Sequence, residues 1–233
     1  MMRILILLSL IFLWSMAETL SINTPFRGKL YDEAKLFMEE LFKRNGYELE
    51  YQKLPHKRAL INANRGIEDG DGPRVKAVAR QYSNLRRVDV PIMQMVLHAY
   101  YRDKDIRIRT WEDLKPYHVA VRRGIVMQVD NVKRVNPKEI TYISSSEKLF
   151  ELLKQKKVDI IIAESLKIMG GTGDSSLNDI YQSPALVKQN MYLFLHKKHN
   201  DKLEGFESVL LQMKEEGYQK RLEHFYKTGN STW

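Results

Sequence analysis

The chain has 233 residues, a formal net charge of +9 and no cysteine. This length suffices for one large domain or two modest lobes. The absence of cysteine excludes disulfides, so the hydrophobic core alone must stabilise the fold. The Lys and Arg residues are scattered rather than clustered, which disfavours nucleic acid as a partner and leaves an anionic ligand or an acidic surface open.

The first residues, 1–17, have the pattern of a secretory signal peptide. Arg3 precedes an apolar run over residues 4–14, and Ser15-Met16-Ala17 then forms a small-x-small cleavage site. The apolar run is short for a bilayer span, which favours a signal peptide over a permanent membrane anchor. We therefore expect cleavage after Ala17 and a soluble periplasmic protein that begins at Glu18.

The first third of the mature chain alternates between strand and helix patterns. The predicted elements are a strand over 19–26, a helix over 28–42, a strand over 47–54 and a short helix over 56–64. Asn45-Gly46 and Gly66 provide the two helix ends. Residues 68–74 are predicted to form a polar, glycine-rich loop, and residues 85–92 and 95–101 to be extended.

The middle of the chain repeats this alternation. Its predicted elements are a short capped helix over 110–114, strands over 118–121 and 140–143, and a turn into a helix over 124–132 between those strands. An amphipathic helix from Leu203 to Phe225 closes the chain. Alternating strands and helices predict an α/β fold with parallel sheets, and two rounds of the alternation predict two lobes.

The segment from Ser144 to Glu164 carries the clearest functional signal. Apolar residues recur at helical spacing over 149–153, and the serines before them, Ser144 and Ser145 among them, provide the N-cap. The N–H groups left free at such a helix start favour an anion. A buried strand over 158–163 follows, and Glu164 lies just beyond its carboxyl end, where ligands bind in open α/β sheets. Together these features predict a site for a zwitterion.

In the order and spacing of four segments, the chain resembles the type II periplasmic solute-binding proteins of the amino-acid uptake class, bacterial solute-binding family 3. These segments are Asn23-Thr24-Pro25-Phe26, residues 111–121 with Gly124, residues 147–164 and residues 192–198. The resemblance implies an α/β clamshell with parallel or mixed sheets and a hinge. Lobe 1 would comprise residues 18–97 and 192–233, and lobe 2 residues 98–191, with crossings near 95–101 and 189–194.

The resemblance also implies which residues touch the ligand. An arginine of lobe 1 would bind the α-carboxylate, and we assign this role to Arg74, with Arg58, Arg86 and Arg87 as rivals. An acidic residue five positions after Asp159 would bind the amino group, and Glu164 stands there in place of the usual Asp. The predicted ligand-binding residues are Arg74, Glu164, Ser144, Ser145 and, as an aromatic wall, Phe26 and Tyr31.

The implied function is capture of a small polar solute, an amino acid or related carboxylate, for uptake by an ABC-type system or for sensing. The partners would be this ligand and either a membrane permease or a sensor receptor, and the protein would be a monomer without cofactor or metal. The alternative is a cyclohexadienyl dehydratase-like lyase on the same fold, with Glu164, His56 or His98 as general acid or base.

Overall fold

The structure, a computed structural model, describes residues 17–23, 29–123, 125–164, 179–218 and 220. Its strands are β1 (Glu18–Asn23), β2 (Tyr47–Gln52), β3 (Gly70–Val75), β4 (Leu85–Arg87), β5 (Met93–Tyr101), β6 (His118–Arg122), β7 (Glu139–Ile143), β8 (Ile160–Glu164), β9 (Tyr181–Gln182) and β10 (Val187–His196). Its α-helices are α1 (Lys29–Arg44), α2 (His56–Arg65), α3 (Val78–Gln81), α4 (Val126–Val135), α5 (Ser146–Lys154) and α6 (Leu203–Glu215). Residues Glu112–Leu114 and Lys197–Lys202 form 3-10 turns.

The strands form one mixed sheet in the order β2-β1-β3-β10-β5-β8-β6-β7, with β4 beside β10 and β9 beside β5. Two parallel groups, β2-β1-β3 and β8-β6-β7, occupy its two ends. The long strands β5 and β10 run antiparallel to each other and to their outer neighbours, so they join the two groups. The predicted α/β class with a mixed sheet is confirmed, and these two strands contain the segments predicted as crossings.

Separate cores cover the two groups of strands. Around β1, buried side chains of α1 and α6 such as Phe42 and Phe206 pack on Leu20 and Ile22. Around β6 and β8, both faces are covered: one cluster includes Ile162 with Val132 of α4, and another includes Ala120, Ile161, Leu149 and Leu153, the last two from α5. Helices on both faces explain why the strand over 158–163 reads as a continuous apolar run.

Several local signals are confirmed. Helix α1 ends before Gly46 and α2 before Gly66, and both glycines have left-handed φ angles, 79° and 75°. Such angles strain other residues, which is why glycine marks these helix ends. The closing helix is confirmed as α6 as far as Glu215, but a turn at Glu216 and Gly217, whose φ angle is 67°, ends it there, so the predicted helix does not run on unbroken. Residues 219 and 221–225 lie outside the described residues.

The prediction of a glycine-rich loop over 68–74 is wrong, because residues 70–75 form the buried strand β3. Strand β10 lies so close that a Cβ at Gly70 would be 2.3 Å from the carbonyl oxygen of Phe194. The glycine therefore permits close strand packing and does not mark a loop. Strand β4 is also shorter than the predicted 85–92, although the N–H groups of Val88 and Ile92 still donate to β10.

Within the described ranges, none of the helices combines the length and the apolar character that a bilayer crossing needs. The apolar run over 4–14 lies outside these ranges. The first strand begins at Glu18, directly after the predicted cleavage site.

Candidate functional site

Three neighbouring parallel strands end at the same edge of the sheet. In the order β8-β6-β7, their last residues are Glu164, Arg122 and Ile143. Arg122 is the register partner of Ile143, and the pairing of Ala120 with Ile161 places the end of β8 beside the end of β6. Carboxyl ends of parallel strands are where α/β proteins place ligands, so this edge is the candidate site.

Glu164 is the last residue of β8, so it lies at the carboxyl end of the strand, as predicted. Its backbone oxygen accepts a hydrogen bond from the Tyr100 hydroxyl (3.1 Å), but its carboxylate has no hydrogen bond or ion pair with the described residues. Burial raises the pKa of Glu164, and the charge of Arg122 opposes this only in part. A desolvated carboxylate without a partner is unfavourable, and a ligand cation or a proton would relieve it.

Arg122 also ends a strand at this edge, although the sequence analysis did not select it as a candidate. It is half-buried at the end of β6, and its backbone N–H donates to Oε1 of Gln128 (3.0 Å), a buried residue of α4. This hydrogen bond links the end of β6 to α4, the helix that follows it. The available signal was the same as for Glu164: a charged residue directly after an apolar strand.

The serines begin α5 as predicted. Ser145 is the N-cap, and its Oγ accepts a hydrogen bond from the backbone N–H of Lys148 (3.3 Å), while Ser144 is exposed. The Ser145 hydroxyl oxygen thus caps its own helix, while its O–H and the other N–H groups of the first turn could still donate to a ligand. Contact of Ser144 and Ser145 with a ligand stays a prediction.

A second helix also begins at this edge. Helix α4 follows β6, and its N-cap, Ile125, provides no side-chain hydrogen bond. The orphan N–H groups of its first turn therefore lack the kind of cap that Ser145 gives α5. Two helix N-termini, one capped and one uncapped, thus lie near Arg122, and both favour negative charge.

Arg74 lies in β3, on the other side of the central strands β10 and β5. Its guanidinium binds Asp71 through two hydrogen bonds, Nε to Oδ1 (2.7 Å) and Nη2 to Oδ2 (2.9 Å), and both residues are buried. Arg74 therefore lies in a buried strand and not in the predicted loop, and a protein carboxylate occupies two of its donors. Its contact with a ligand stays a prediction.

The other predicted residues are spread over the structure. Arg58 is exposed on α2, Arg86 donates to the backbone oxygen of Ser83 (2.7 Å), and Arg87 pairs with Asp89. Phe26 lies outside the described residues, as do the side chains of Tyr31 and His56. Nδ1 of His98 is 2.9 Å from the backbone oxygen of Ser183. None of these placements tests a ligand role.

No known family model matches the chain. An uncharacterized protein of Shewanella oneidensis is 28% identical over 193 residues, which are 81% of this chain and 73% of that protein. The similarity to this relative therefore indicates no activity.

Solved structures show the fold. The ligand-binding core of GluR0, in complex with L-glutamate, is similar with a TM-score of 0.73 and 12% identity over 89% of this chain and 97% of that one. The ancestral amino acid-binding protein AncCDT-1, a precursor of cyclohexadienyl dehydratase, is similar with a TM-score of 0.67 and 17% identity, over 90% and 94%. The chain therefore has the two-lobed fold of the type II periplasmic binding proteins.

Proposed function

We propose that this protein captures a small zwitterionic solute, an amino acid, in the cleft of its two-lobed fold. The observation that carries the proposal is the Glu164 carboxylate, which is desolvated, lies at a carboxyl strand edge and has no partner among the described residues. A ligand ammonium would compensate its charge. The similar proteins GluR0 and AncCDT-1, which bind L-glutamate and amino acids respectively, support this ligand class.

Capture would proceed by closure of the two lobes around the solute. We place lobe 1 at residues 18–97 and 192–233 and lobe 2 at residues 98–191. Strands β5 and β10, which join the two parallel groups, would bend at this hinge. The ligand's carboxylate would bind to an arginine and to the N-termini of α4 and α5, the helices that follow β6 and β7.

The protein would act in the periplasm, after removal of the signal peptide by cleavage after Ala17. The protein would deliver its ligand, as a monomer, to a membrane permease of ABC type or to a sensor receptor. The start of β1 at Glu18 supports this cleavage point, because the strand remains whole in the mature chain.

Thermal-shift screening with the common L-amino acids and small carboxylates tests the proposal. A ligand that binds only the folded protein raises its melting temperature in proportion to the logarithm of ligand concentration over Kd. We expect at least one amino acid to do so and Glu164→Gln to remove most of the shift. Screening in which no amino acid stabilises the protein would contradict the proposal.

A lyase is the second candidate, because a carboxyl group with a raised pKa is also what a general acid requires. AncCDT-1, which has a similar fold, is a precursor of cyclohexadienyl dehydratase, so proteins of this fold are related to an enzyme of this kind. Incubation of the protein with prephenate-like cyclohexadienyl acids, followed by product analysis, separates the two. Sustained turnover that Glu164→Gln abolishes would favour the lyase, whereas binding without product favours the binding protein.

A further inference from the structure

We propose that the surface formed by α2 and α3 binds the anionic phospholipid headgroups of a membrane. This inference goes beyond the proposed capture of a solute and does not depend on it. We call the surface the α2–α3 face. It consists of the exposed side of the segment 53–88, whose exposed cations are Lys53, Lys57, Arg58, Arg65, Lys76 and Arg80.

Helices α2 and α3 cover the same side of the sheet and are joined to each other. Ala63 of α2 and Val78 of α3 belong to one buried cluster with Phe194 of β10. In the turn between α3 and β4, Asn84 donates its backbone N–H to Oδ1 of Asn64 in α2 (3.0 Å), and its Nδ2 to the backbone oxygen of Asn64 (3.0 Å). The two helices therefore present their exposed sides as one surface.

The acidic residues of this segment lie in the interior. They are Glu68, Asp69 and Asp71. Glu68 and Asp71 are buried, and the Asp69 carboxylate is bound by Lys198 (2.7 Å) and His199 (2.7 Å). Every exposed charged side chain that the structure describes between residues 53 and 88 is consequently a lysine or an arginine.

Most of these exposed cations lack a protein partner. Five of them have no side-chain hydrogen bond or ion pair with the described residues: Lys57, Arg58, Arg65, Lys76 and Arg80. Elsewhere on the surface, by contrast, Arg44 pairs with Glu216 and Lys202 with Glu18. Unpaired like charges on one surface repel each other, and an anionic partner relieves this repulsion.

The start of α2 adds to the positive charge of the face. Its N-cap, Pro55, provides no side-chain hydrogen bond, and its first turn contains Lys57 and Arg58 but no acidic residue. A helix N-terminus favours acidic side chains, so cations at this position weaken the helix. Stability of the fold does not explain this composition, whereas binding of an anionic surface does.

The opposite side of the sheet lacks this charge bias. Helices α1 and α6 cover it, and their Phe42 and Phe206 pack with Leu193 and Leu195, the neighbours of Phe194 in β10. The two helices together contain five Lys or Arg residues and seven Asp or Glu residues. Because the charge is asymmetric, an anionic surface would orient the protein with the α2–α3 face toward it.

An exposed apolar residue within the face favours a membrane over an acidic protein. Ile67, two residues after Arg65, is 63% exposed, and the backbone oxygen of Gly66 between them accepts a hydrogen bond from Nζ of Lys198 (3.2 Å). Surfaces that bind membranes combine cations with apolar side chains that enter the headgroup region. Each Lys or Arg near an anionic membrane strengthens binding by about fivefold.

Sedimentation with vesicles tests the proposal. The exported protein is mixed with vesicles of phosphatidylcholine alone, or of equal parts phosphatidylcholine and phosphatidylglycerol, at low ionic strength and in about 1 M salt, where the Debye length is about 3 Å. Poly-L-glutamate is a second probe, because it offers carboxylates without a bilayer.

Two triple variants that lose the same charge are compared. The variant of the face carries Arg65→Gln, Lys76→Gln and Arg80→Gln. The control replaces three exposed lysines outside the face, and carries Lys104→Gln, Lys115→Gln and Lys138→Gln.

We expect wild type to bind the anionic vesicles at low ionic strength, and to bind them weakly in high salt. Neutral vesicles should bind it weakly in both conditions. The variant of the face should lose about tenfold or more of the affinity for anionic vesicles, whereas the control should lose much less.

Absence of wild-type binding to anionic vesicles would overturn the inference. Equal losses in the two triple variants would also overturn it, because net charge and not this face would then determine binding. Binding to poly-L-glutamate without binding to anionic vesicles would replace the membrane by an acidic protein. If the variant of the face does not give a cooperative melt, Arg65→Gln alone replaces it, and a loss of about fivefold is the expected result.

Discussion

The Arg74 guanidinium and the Asp71 carboxylate face each other three residues apart in β3 and share two hydrogen bonds of 2.7 and 2.9 Å. The Asp71 side chain is fully buried and that of Arg74 is 8% exposed. Burial leaves little solvent around either charge, so the ion pair compensates both. This dependence determines how the protein should respond to changes in the pair.

Replacement of Arg74 by alanine should destabilise the fold. From the sequence alone, with Arg74 in a loop, Arg74→Ala is predicted to weaken ligand binding by about tenfold or more and to leave stability nearly unchanged. The ion pair changes this expectation, since removing one partner of a buried pair costs about 3–5 kcal/mol. Urea denaturation measures the effect, with Arg58→Ala, an exposed arginine on α2, as the matched control. Equal midpoints for the two variants would refute the structural role.

Glu164→Gln should stabilise the ligand-free protein and weaken ligand binding, and both effects should grow as pH rises through the folded-state pKa of Glu164. Because the folded-state pKa lies above the ordinary value of 4.5, the group favours folding below that pH and loses this contribution as pH rises through the folded pKa. Glu164→Gln should therefore stabilise the ligand-free protein at neutral pH and have little effect in acid. Melting curves between pH 4 and 8 check this.

Amino-acid affinity should follow the ionised form of Glu164. It should fall as pH drops through the raised pKa, and Glu164→Gln should weaken it about tenfold or more at neutral pH, because the ammonium loses its counter-charge. Calorimetric titration across the same pH range measures both trends. A wild-type affinity independent of pH would contradict the assignment of the ammonium to this residue.

Asp69→Asn should destabilise the protein at neutral pH. Burial alone would raise the pKa of Asp69, but hydrogen bonds from Lys198 (2.7 Å), the Ser21 backbone (2.8 Å) and His199 (2.7 Å) outweigh it and hold the pKa well below its usual range. Loss of such charge-assisted bonds costs about 1.5–3 kcal/mol.

The sign of the pH dependence follows from the lowered pKa. The stabilisation from Asp69 is full above the ordinary value of 3.8 and is lost as pH falls toward the folded pKa. The difference in unfolding free energy between wild type and Asp69→Asn should thus be larger at pH 7 than at pH 2. Asp201→Asn, at an exposed aspartate of the nearby 3-10 turn, is the control and should behave as wild type.

Ser145→Ala should remove the N-cap of α5. The loss typically costs about 1 kcal/mol, because the N–H of Lys148 then lacks its acceptor. For a domain of this size the melting temperature should fall by about 2–4 °C. Ser144→Ala, at the exposed neighbour, should shift it little, and a larger effect at Ser144 than at Ser145 would contradict the cap assignment.

Export should remove the residues before Glu18. N-terminal sequencing of the periplasmic fraction should start at Glu18, and Ala17→Leu should block processing, because the cleavage site requires a small residue. Intact Met1 on protein that stays in the membrane fraction would show that the segment is an anchor.

Local signals in the sequence were sufficient for most elements. Periodic apolar residues predict α1 and α5, glycines predict the ends of α1 and α2, and the Ser145 cap follows from its position before an apolar stripe. Each of these depends on residues within a few positions, which is why sequence alone reveals them. Glu164 belongs with them, because a strand and its last residue are adjacent in the chain.

Strand β3 and Arg122 required the tertiary structure. Glycine at position 70 suggests a loop until the close approach of Phe194 from β10 is known. Likewise, Arg122 has the same local signal as Glu164, a charged residue after an apolar strand, but only strand register shows that the two strand ends lie side by side. Pairing between distant strands is not encoded in any short window, because it depends on which surfaces pack together.

The sequence by itself thus determined most of the strands and helices, although not β3, together with the α/β class and the carboxylate at the end of β8. The tertiary structure decided which charges are already paired and which face an open edge: Arg74 is neutralised by Asp71, whereas the Glu164 carboxylate has no partner in the described part of the chain. The physical reason is that charge compensation depends on distance and burial in space, and both are set only when separate segments come together.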